Sequence, residues 1–369
     1  MRAVVMSRVY ADPAARGKLK ALAGLDLAVA AAVPDRWVPA GLSHEQQTSW
    51  EDEARVRTVP IPIRGRAADP NPRWRASALR ALLTDFRPDI IQIEEEPWTR
   101  GASIAARIAR RLKVPYVVLA RESLPRAYAP VARYRRNRVL GGAAGLAAVN
   151  ELAARLALRV RPTLPFQVGP QLGVRLPLTA ERVPHSGLAL GFVGRLVPEK
   201  GLDLLFRACV KLVGRWSLTV VGTGPAQEEL EGLAERLGLA GRVTWLGALP
   251  RDAVDQVWPR LDCIVIPSRT TPRWIEASPR AALDAMARGV AVVATSAGAL
   301  PEILGDAGLL VPEEDVGALT EVLQRLHDSP EEHQRLGAAG RRRVLERYSD
   351  AAIAEQTRRF WSGLVPATA

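Results

Sequence analysis

Arg195 and Lys200 are two cations on one short stretch, Phe192-Val-Gly-Arg-Leu-Val-Pro-Glu-Lys-Gly-Leu-Asp-Leu-Leu205. The apolar run 188–193 reads as a buried strand and the segment after Gly201 as a helix, so both cations fall on a loop at the carboxyl end of a strand. In an open α/β sheet ligands bind at that edge. A helix start beside two fixed cations suits a diphosphate, although an ordinary solvated loop would carry the same charges. Glu276 and Asp284 follow about 80 residues later, with seven residues between them. Ile264-Val-Ile-Pro-Ser268 reads as a short strand ended by proline, Ser278 is a favoured N-cap, and Pro279 suits the first helical position. That frame predicts free backbone N–H groups at Arg280 and Ala281, a second anion site. Glu276 then precedes the helix and Asp284 lies about one and a half turns inside it. The two acids do not form a same-face helical pair. They fit one cleft at two depths, one near a sugar and one near a ribose; the plainer reading is a capping acid and a solvated helix acid.

With these residues in view, the chain resembles the retaining glycosyltransferases of family 4, which have the GT-B fold. The resemblance is carried by Gly194-Arg195, Glu199-Lys200-Gly201, Val221-Gly222-Thr223-Gly224-Pro225 and Pro267-Ser268. It continues through Glu276 to Asp284, Ala285-Met-Ala-Arg-Gly289, Val292-Val-Ala-Thr295, Gly298 and Pro301-Glu302. It implies that Arg195 and Lys200 neutralise the diphosphate of a nucleotide-sugar. Glu276 would contact the donor sugar and support departure of the leaving group, so these three are the catalytic candidates. Asp284 would hold the ribose hydroxyls, with one methylene less than the glutamate usual there. Pro279 stands where the family usually has glycine. Gly222, Arg280 and Ala281 join Arg195, Lys200 and Asp284 as donor-binding candidates.

The first half of the chain resembles the family more loosely. The family often has a glycine pair near the donor phosphates; here Gly17 stands alone between Arg16 and Lys18. The usual histidine would follow the strand 116–119, where this chain reads Ala-Arg-Glu-Ser-Leu124. Its histidines are His44, His185, His327 and His333, none at that position. Arg121 or Glu122 could serve there, and both read equally well as structural.

Apolar runs alternate with helical patterns along the 369 residues, the signature of parallel βαβ units. Strands are expected near 2–7, 26–33, 88–93, 115–119, 145–149, 188–193, 216–221, 242–246, 261–266 and 290–295. Helices are expected near 73–86, 99–113, 128–140 and 150–159. The fold class is therefore α/β. The resemblance makes it GT-B, two doubly wound Rossmann-like domains facing a central cleft, closure of which would exclude water. The expected layout is an acceptor-binding domain at 1–175, a nucleotide-sugar domain at 185–350 and a helix at 351–369 crossing back to the first. Gln167 to Pro184, punctuated by proline, reads as the linker.

Cys209 and Cys263 sit in apolar contexts and read as buried thiols suited to a reducing cytoplasm. No zinc-spaced Cys/His cluster and no Asp-x-Asp pair occurs, so neither a metal nor another cofactor is expected. The start goes straight into a strand, which reads as no signal peptide, and no apolar run approaches the ~18 residues of a spanning helix. The net charge is +12. Residues 1–183 hold 30 Lys and Arg against 16 Asp and Glu, whereas residues 184–369 hold 21 against 23, or +14 and −2. The densest basic piece is 126–138, with Arg133, Arg135, Arg136 and Arg138 interleaved with Tyr128 and Tyr134. No RRM, KH or helix-turn-helix signature accompanies it, so nucleic acid is not expected as a partner. An anionic membrane surface or a phosphate-linked lipid acceptor suits the patch, and a merely solvated basic face does so equally.

The resulting expectation is a retaining transferase. It would move a sugar from a UDP- or GDP-linked donor to a sugar, lipid-linked or small-molecule acceptor hydroxyl. Cell-envelope polysaccharide or glycolipid assembly, on the inner face of the plasma membrane, is the expected setting. Glycosylation of a small secondary metabolite, a nucleotide-sugar epimerase and an inactive sugar-nucleotide-binding homologue are the competing readings.

Overall fold

The computed structural model describes residues 1–38, 44–53, 55–69, 71–177 and 182–365. It divides into two compact units, 1–173 with 350–369, and 174–349. Positions 178–181 of the expected linker lie outside the described residues.

The first unit runs β1 (Arg2–Met6), α1 (Gly17–Gly24), β2 (Ala28–Pro34), β3 (Arg36–Trp37), β4 (Gln46–Gln47), β5 (Glu51–Glu53) and β6 (Val56–Ile61). It continues with β7 (Ile63–Arg64), β8 (Arg73–Trp74), α2 (Ala76–Phe86), β9 (Ile90–Ile93), α3 (Arg100–Leu112) and β10 (Tyr116–Ala120). Then come α4 (Pro130–Gly142), β11 (Gly145–Ala148), α5 (Glu151–Leu158) and β12 (Phe166–Val168). The main sheet has the order β12-β11-β10-β9-β1-β2-β6-β5. It is parallel except where β5 pairs antiparallel with β6. Central strands such as β1 and β9 are buried almost throughout, as a sheet covered on both faces requires. The strand order reverses between β1 and β9, so the loops leaving these two strands diverge and leave a crevice at their carboxyl ends.

The second unit runs β13 (Leu188–Val193), α6 (Leu202–Cys209), β14 (Trp216–Val221), α7 (Gln227–Arg236), β15 (Val243–Trp245), α8 (Arg251–Asp255) and β16 (Cys263–Ile266). After these come α9 (Arg280–Ala287), β17 (Ala291–Thr295), α10 (Leu300–Leu304), β18 (Leu309–Val311), α11 (Val316–Asp328) and α12 (Pro330–Arg347). Its sheet is wholly parallel in the order β15-β14-β13-β16-β17-β18. The reversal falls between β13 and β16, the strands that precede the two segments singled out above.

The last helix, α13 (Asp350–Ser362), belongs to the first unit and packs on α1. Trp361 is fully buried there, and its indole Nε1 donates to Gln92 Oε1 at 2.9 Å. Cys209 and Cys263 are free and buried.

The expected strands and helices are present within a few residues, except that the helix expected at 351–369 ends at Ser362, and positions 366–369 lie outside the described residues. Periodicity missed β6, whose Pro60 breaks the pattern. That proline lies past the register of β5, which ends at the Glu51–Thr58 pair, so its missing N–H removes no bond to β5. Helix α2 starts three residues late because Arg73 and Trp74 pair with β7 instead.

Candidate functional site

The loop after β13 is fixed from behind by backbone contacts. Gly194 N–H donates to Val221 O at 3.0 Å and Leu196 N–H to Thr223 O at 2.9 Å. Gly222 has φ +135°, and a Cβ there would fall 1.8 Å from Gly194 O. Only glycine lets the two loops touch. Gly222 therefore supports the cationic loop from underneath and does not line the cavity in front of it. Arg195 is exposed on that loop, and its side chain forms no ion pair or hydrogen bond among the described residues. Lys200 ends a 3-10 turn and sits 5.2 Å over the Trp274 ring.

Glu276 arrives from the segment after β16 and is 4% exposed. Its Oε2 accepts from Ser268 Oγ at 2.9 Å and from Lys200 Nζ at 2.5 Å. Thr295 at the end of β17 donates its hydroxyl to Ser268 O, which steadies the donor behind the carboxylate. The Glu276 carbonyl accepts from Ala299 N–H at 2.8 Å, and a Cβ on Gly298 would come within 2.2 Å of that same oxygen. Backbone and one carboxylate oxygen are thus both held, while Oε1 has no protein partner among the described residues.

The start of α9 differs from the expectation. The helix begins at Arg280, with Pro279 in the capping position at φ −75° and ψ 74°, and no side chain caps it. Ser278 is not the N-cap. Its carbonyl accepts Arg280 N–H at 2.8 Å, so that N–H is consumed and Ala281 alone keeps the predicted role. A proline that turns the chain before the helix, in place of a serine hydroxyl, accounts for the shift of one residue. Arg280 contributes its guanidinium instead: Nε lies 3.1 and 3.2 Å from the two carboxylate oxygens of Asp284, the i,i+4 spacing that places both on one helix face. Arg288 Nη1 donates to Asp284 O at 2.8 Å and lies 3.9 Å from Oδ1. Arg288 also pairs with Asp255 and stands 5.6 Å over the Trp258 ring. The carboxylate expected to meet a ribose is therefore flanked by two guanidiniums.

Arg195, Lys200, Glu276, Arg280, Ala281 and Asp284 all line one cavity of about 450 Å³ within the second unit. Trp258, Asp255 and Arg288 line it as well and escaped sequence reading. No periodicity or local motif marks them.

Gly17 does not line this cavity. It belongs to the first unit, where a Cβ would fall 2.1 Å from Asp350 Oδ2, so packing of α13 explains the glycine. The cations beside it also face inward. Arg16 pairs with Glu51, and Lys18, 2% exposed, donates to Glu94 Oε1 at 2.6 Å and to Gln171 O at 2.9 Å. In the first unit Glu94, Glu95 and Glu96 are all buried at the β1–β9 reversal. Glu94 is held by Lys18, Gln92 and Gln171, and Glu95 lies 3.3 Å from Arg8. Arg121 and Glu122, at the position where the resemblance implies a histidine, are engaged locally: Arg121 N–H donates to Glu96 Oε1 at 2.9 Å, and Glu122 accepts from Trp98, Arg126 and Tyr128. None of the four histidines lines the cavity. Among the described residues no group of three or more His, Cys, Asp and Glu is placed to hold a metal ion.

Comparison with known proteins gives these geometries a family. Residues 180–343 match the family model of the glycosyl transferases group 1, and residues 11–168 match that of a glycosyl transferase 4-like domain. The 2-deoxystreptamine N-acetyl-D-glucosaminyltransferase of Streptomyces fradiae is 30% identical over 314 residues, 75% of this chain and 72% of that protein. The GDP-mannose-dependent alpha-(1-6)-phosphatidylinositol monomannoside mannosyltransferase of Mycolicibacterium smegmatis is 33% identical over 163 residues, 42% of this chain and 43% of that one. Anabaena Alr3699/HepE, solved in complex with UDP and glucose, superposes with a TM-score of 0.68 at 16% identity, covering 98% of this chain and 100% of that chain. Two parallel-sheet units, the group 1 motifs and a relative matched over most of its length agree: the chain belongs to the family 4, group 1 glycosyltransferases and has their GT-B fold.

Proposed function

We propose that this glycosyltransferase is a retaining enzyme that takes its sugar from a nucleotide-diphosphate donor held in the cavity of the 174–349 unit. The observation that carries the reading is the convergence of Arg195, Lys200 and Glu276 on one cavity, with Glu276 Oε1 open. Arg195 and Lys200 meet the diphosphate and, with the Ala281 N–H, stabilise the charge that grows on it as the sugar leaves. Glu276 directs Oε1 to the sugar, and the acceptor hydroxyl attacks from the face that the diphosphate vacates. Arg280 and Asp284 act together at the ribose. Asp284 alone is already engaged, so the pair presents both donor and acceptor atoms there.

The 1–173 unit, with its C-terminal helix, takes the acceptor. Its basic α4 favours an anionic lipid surface, which fits cell-envelope glycolipid or polysaccharide assembly. The mannosyltransferase relative, named for a phosphatidylinositol monomannoside, supports that setting. A small-molecule acceptor is the second reading, favoured by the relative matched over more of this chain and named for 2-deoxystreptamine.

The test is a panel of UDP- and GDP-sugars offered with and without acceptor, in EDTA and in magnesium, with the anomeric configuration of the product read by NMR. Transfer or slow hydrolysis in EDTA with retention is expected. Arg195→Ala and Lys200→Ala should each cost about 2–4 kcal/mol in kcat/KM. Activity that vanishes in EDTA and returns with magnesium would refute this account of the site.

A further inference from the structure

The first unit has a cavity of its own, about 190 Å³, at the carboxyl ends of β9 and β10. Loops after those strands and the helices α4 and α5 form its walls. This is the edge at which open α/β sheets bind ligands. The volume is below the roughly 300 Å³ at which whole-ligand pockets begin, so it suits one polar group of a larger molecule.

Three guanidiniums line it: Arg126, Arg136 and Arg159. Arg126 is fixed, 4.6 Å from the Trp98 ring and 6.0 Å from the Tyr128 ring, with Nη1 3.0 Å from Glu122 Oε1. Arg136 lies 5.3 Å over the same tyrosine and donates Nη2 to Leu156 O at 2.6 Å. The Arg159 side chain is exposed and has no partner among the described residues. A guanidinium carries five N–H donors, so most of this donor capacity points at nothing in the protein. The two carboxylates in the walls are already answered. Glu122 accepts from Trp98 Nε1 at 2.9 Å, from Arg126 and from Tyr128. Glu96 accepts from Arg121 N–H at 2.9 Å and lies 3.6 Å from its guanidinium. What remains is positive charge with rigid, forked donors, the geometry that recognises phosphate oxygens.

We propose that this pocket binds a phosphomonoester carried by the acceptor, with Arg136 and Arg159 donating to its oxygens and Arg126 held ready by Trp98 and Tyr128. The proposal rests on the assignment of this unit to the acceptor. The phosphate could belong to a soluble metabolite or to a lipid headgroup.

Binding is measured by calorimetry on the full chain carrying Arg195→Ala and Lys200→Ala, which keeps phosphate out of the other unit. Glycerol 3-phosphate is the soluble probe and glycerol its control. Phosphatidic acid in phosphatidylcholine vesicles is the lipid probe, with phosphatidylglycerol vesicles of equal charge as the phosphodiester control. One phosphomonoester should bind, and Arg159→Gln or Arg136→Gln should each weaken it about tenfold, the loss of a charged hydrogen bond. Arg159→Gln disturbs no internal contact, so its result stands even if Arg136→Gln folds poorly. Response to phosphatidic acid alone identifies a lipid acceptor, and response to glycerol 3-phosphate a soluble one. No binding of either, or affinities that ignore both substitutions, overturns the proposal. UDP titrated into the unsubstituted protein separately tests the donor site, so its failure removes that reading and leaves the phosphate result to be judged alone.

Discussion

At the scale of single residues, the proposed donor site turns on Glu276, whose two oxygens stand in different surroundings. Oε2 is held by Lys200 and Ser268, which leaves the carboxylate orientation no freedom and Oε1 available. Glu276→Gln keeps the shape and removes the charge. It should lower kcat about 100-fold and shift donor affinity far less. Asp284→Ala should do the reverse, weakening the donor about tenfold through loss of the Arg280 partner, whereas Asp284→Glu keeps the pair. Steady-state kinetics beside calorimetry with UDP decides it, and equal effects on affinity alone would defeat the separate roles. Glu96 offers a test that needs no substrate. Burial above all pushes its carboxyl up from 4.5 to about 7, with Glu122 adding to the shift and Arg121 opposing it. The folded chain keeps this proton up to about pH 7 while the unfolded chain releases it near 4.5, so stability is lost as pH rises through that window. Glu96→Gln should therefore gain on the parent by on the order of 2 kcal/mol between about pH 5 and pH 8, since about two pKa units are crossed at about 1.4 kcal/mol each. Urea melts at the two pH values would show it, and a constant difference between the two proteins would rule it out.

At the scale of elements, the cationic loop is shaped as much by its neighbours as by itself. Gly222→Ala forces a methyl against Gly194 O from a left-handed backbone position, which should cost about 2 kcal/mol or more and displace Arg195. Unfolding in urea together with UDP titration checks this; a variant unchanged in both would show that the loop is held elsewhere. This element also marks what the sequence could and could not disclose. The strand, loop and helix around Arg195 and Lys200 were readable because apolar runs and glycines specify them locally. Glu276 was readable from its place after the strand 261–266. The Arg280–Asp284 pair is implicit in the i,i+4 spacing, whereas the anion-site reading rested on the Arg280 backbone N–H and not on its guanidinium. Gly17, beside two cations, reads as part of an anion loop, and packing supplies a second reason for it. That second reason, Asp350, lies 333 positions further along the chain and no local pattern reports it.

At the scale of the whole molecule, positive charge is concentrated in residues 1–183, and α4 displays part of it. Val131 and Tyr134 are 60% and 63% exposed on that helix, and Arg135 and Arg138 continue the same face at helical spacing. Arg136 is turned away from that exposed face, toward Leu156 O and the small pocket of the first unit. Arg133, Arg135 and Arg138 remain, at about 1 kcal/mol each near an anionic membrane. Binding to acidic vesicles should be strong at low salt and fall steeply as the Debye length drops from about 30 Å at 0.01 M to about 8 Å at 0.15 M. Replacing the three arginines should release the protein from vesicles and leave UDP binding intact. Flotation that does not distinguish acidic from neutral lipid would leave the basic surface without a membrane role. Among the described residues no helix is long and apolar enough to cross a membrane.

The return of the chain to its first unit has a consequence for biosynthesis. The 174–349 unit is one continuous stretch, complete before the last helix is made. The unit that contains the first residue is finished last, because α13 brings Trp361 to Gln92 and Asp350 to Gly17. During translation the face of α1 that α13 will cover stays open until α13 has been made and has left the ribosome exit tunnel. A chain stopped at residue 349 would leave that face of α1 bare, so a stop just after the 174–349 unit exposes the unit made earlier and not the one made last.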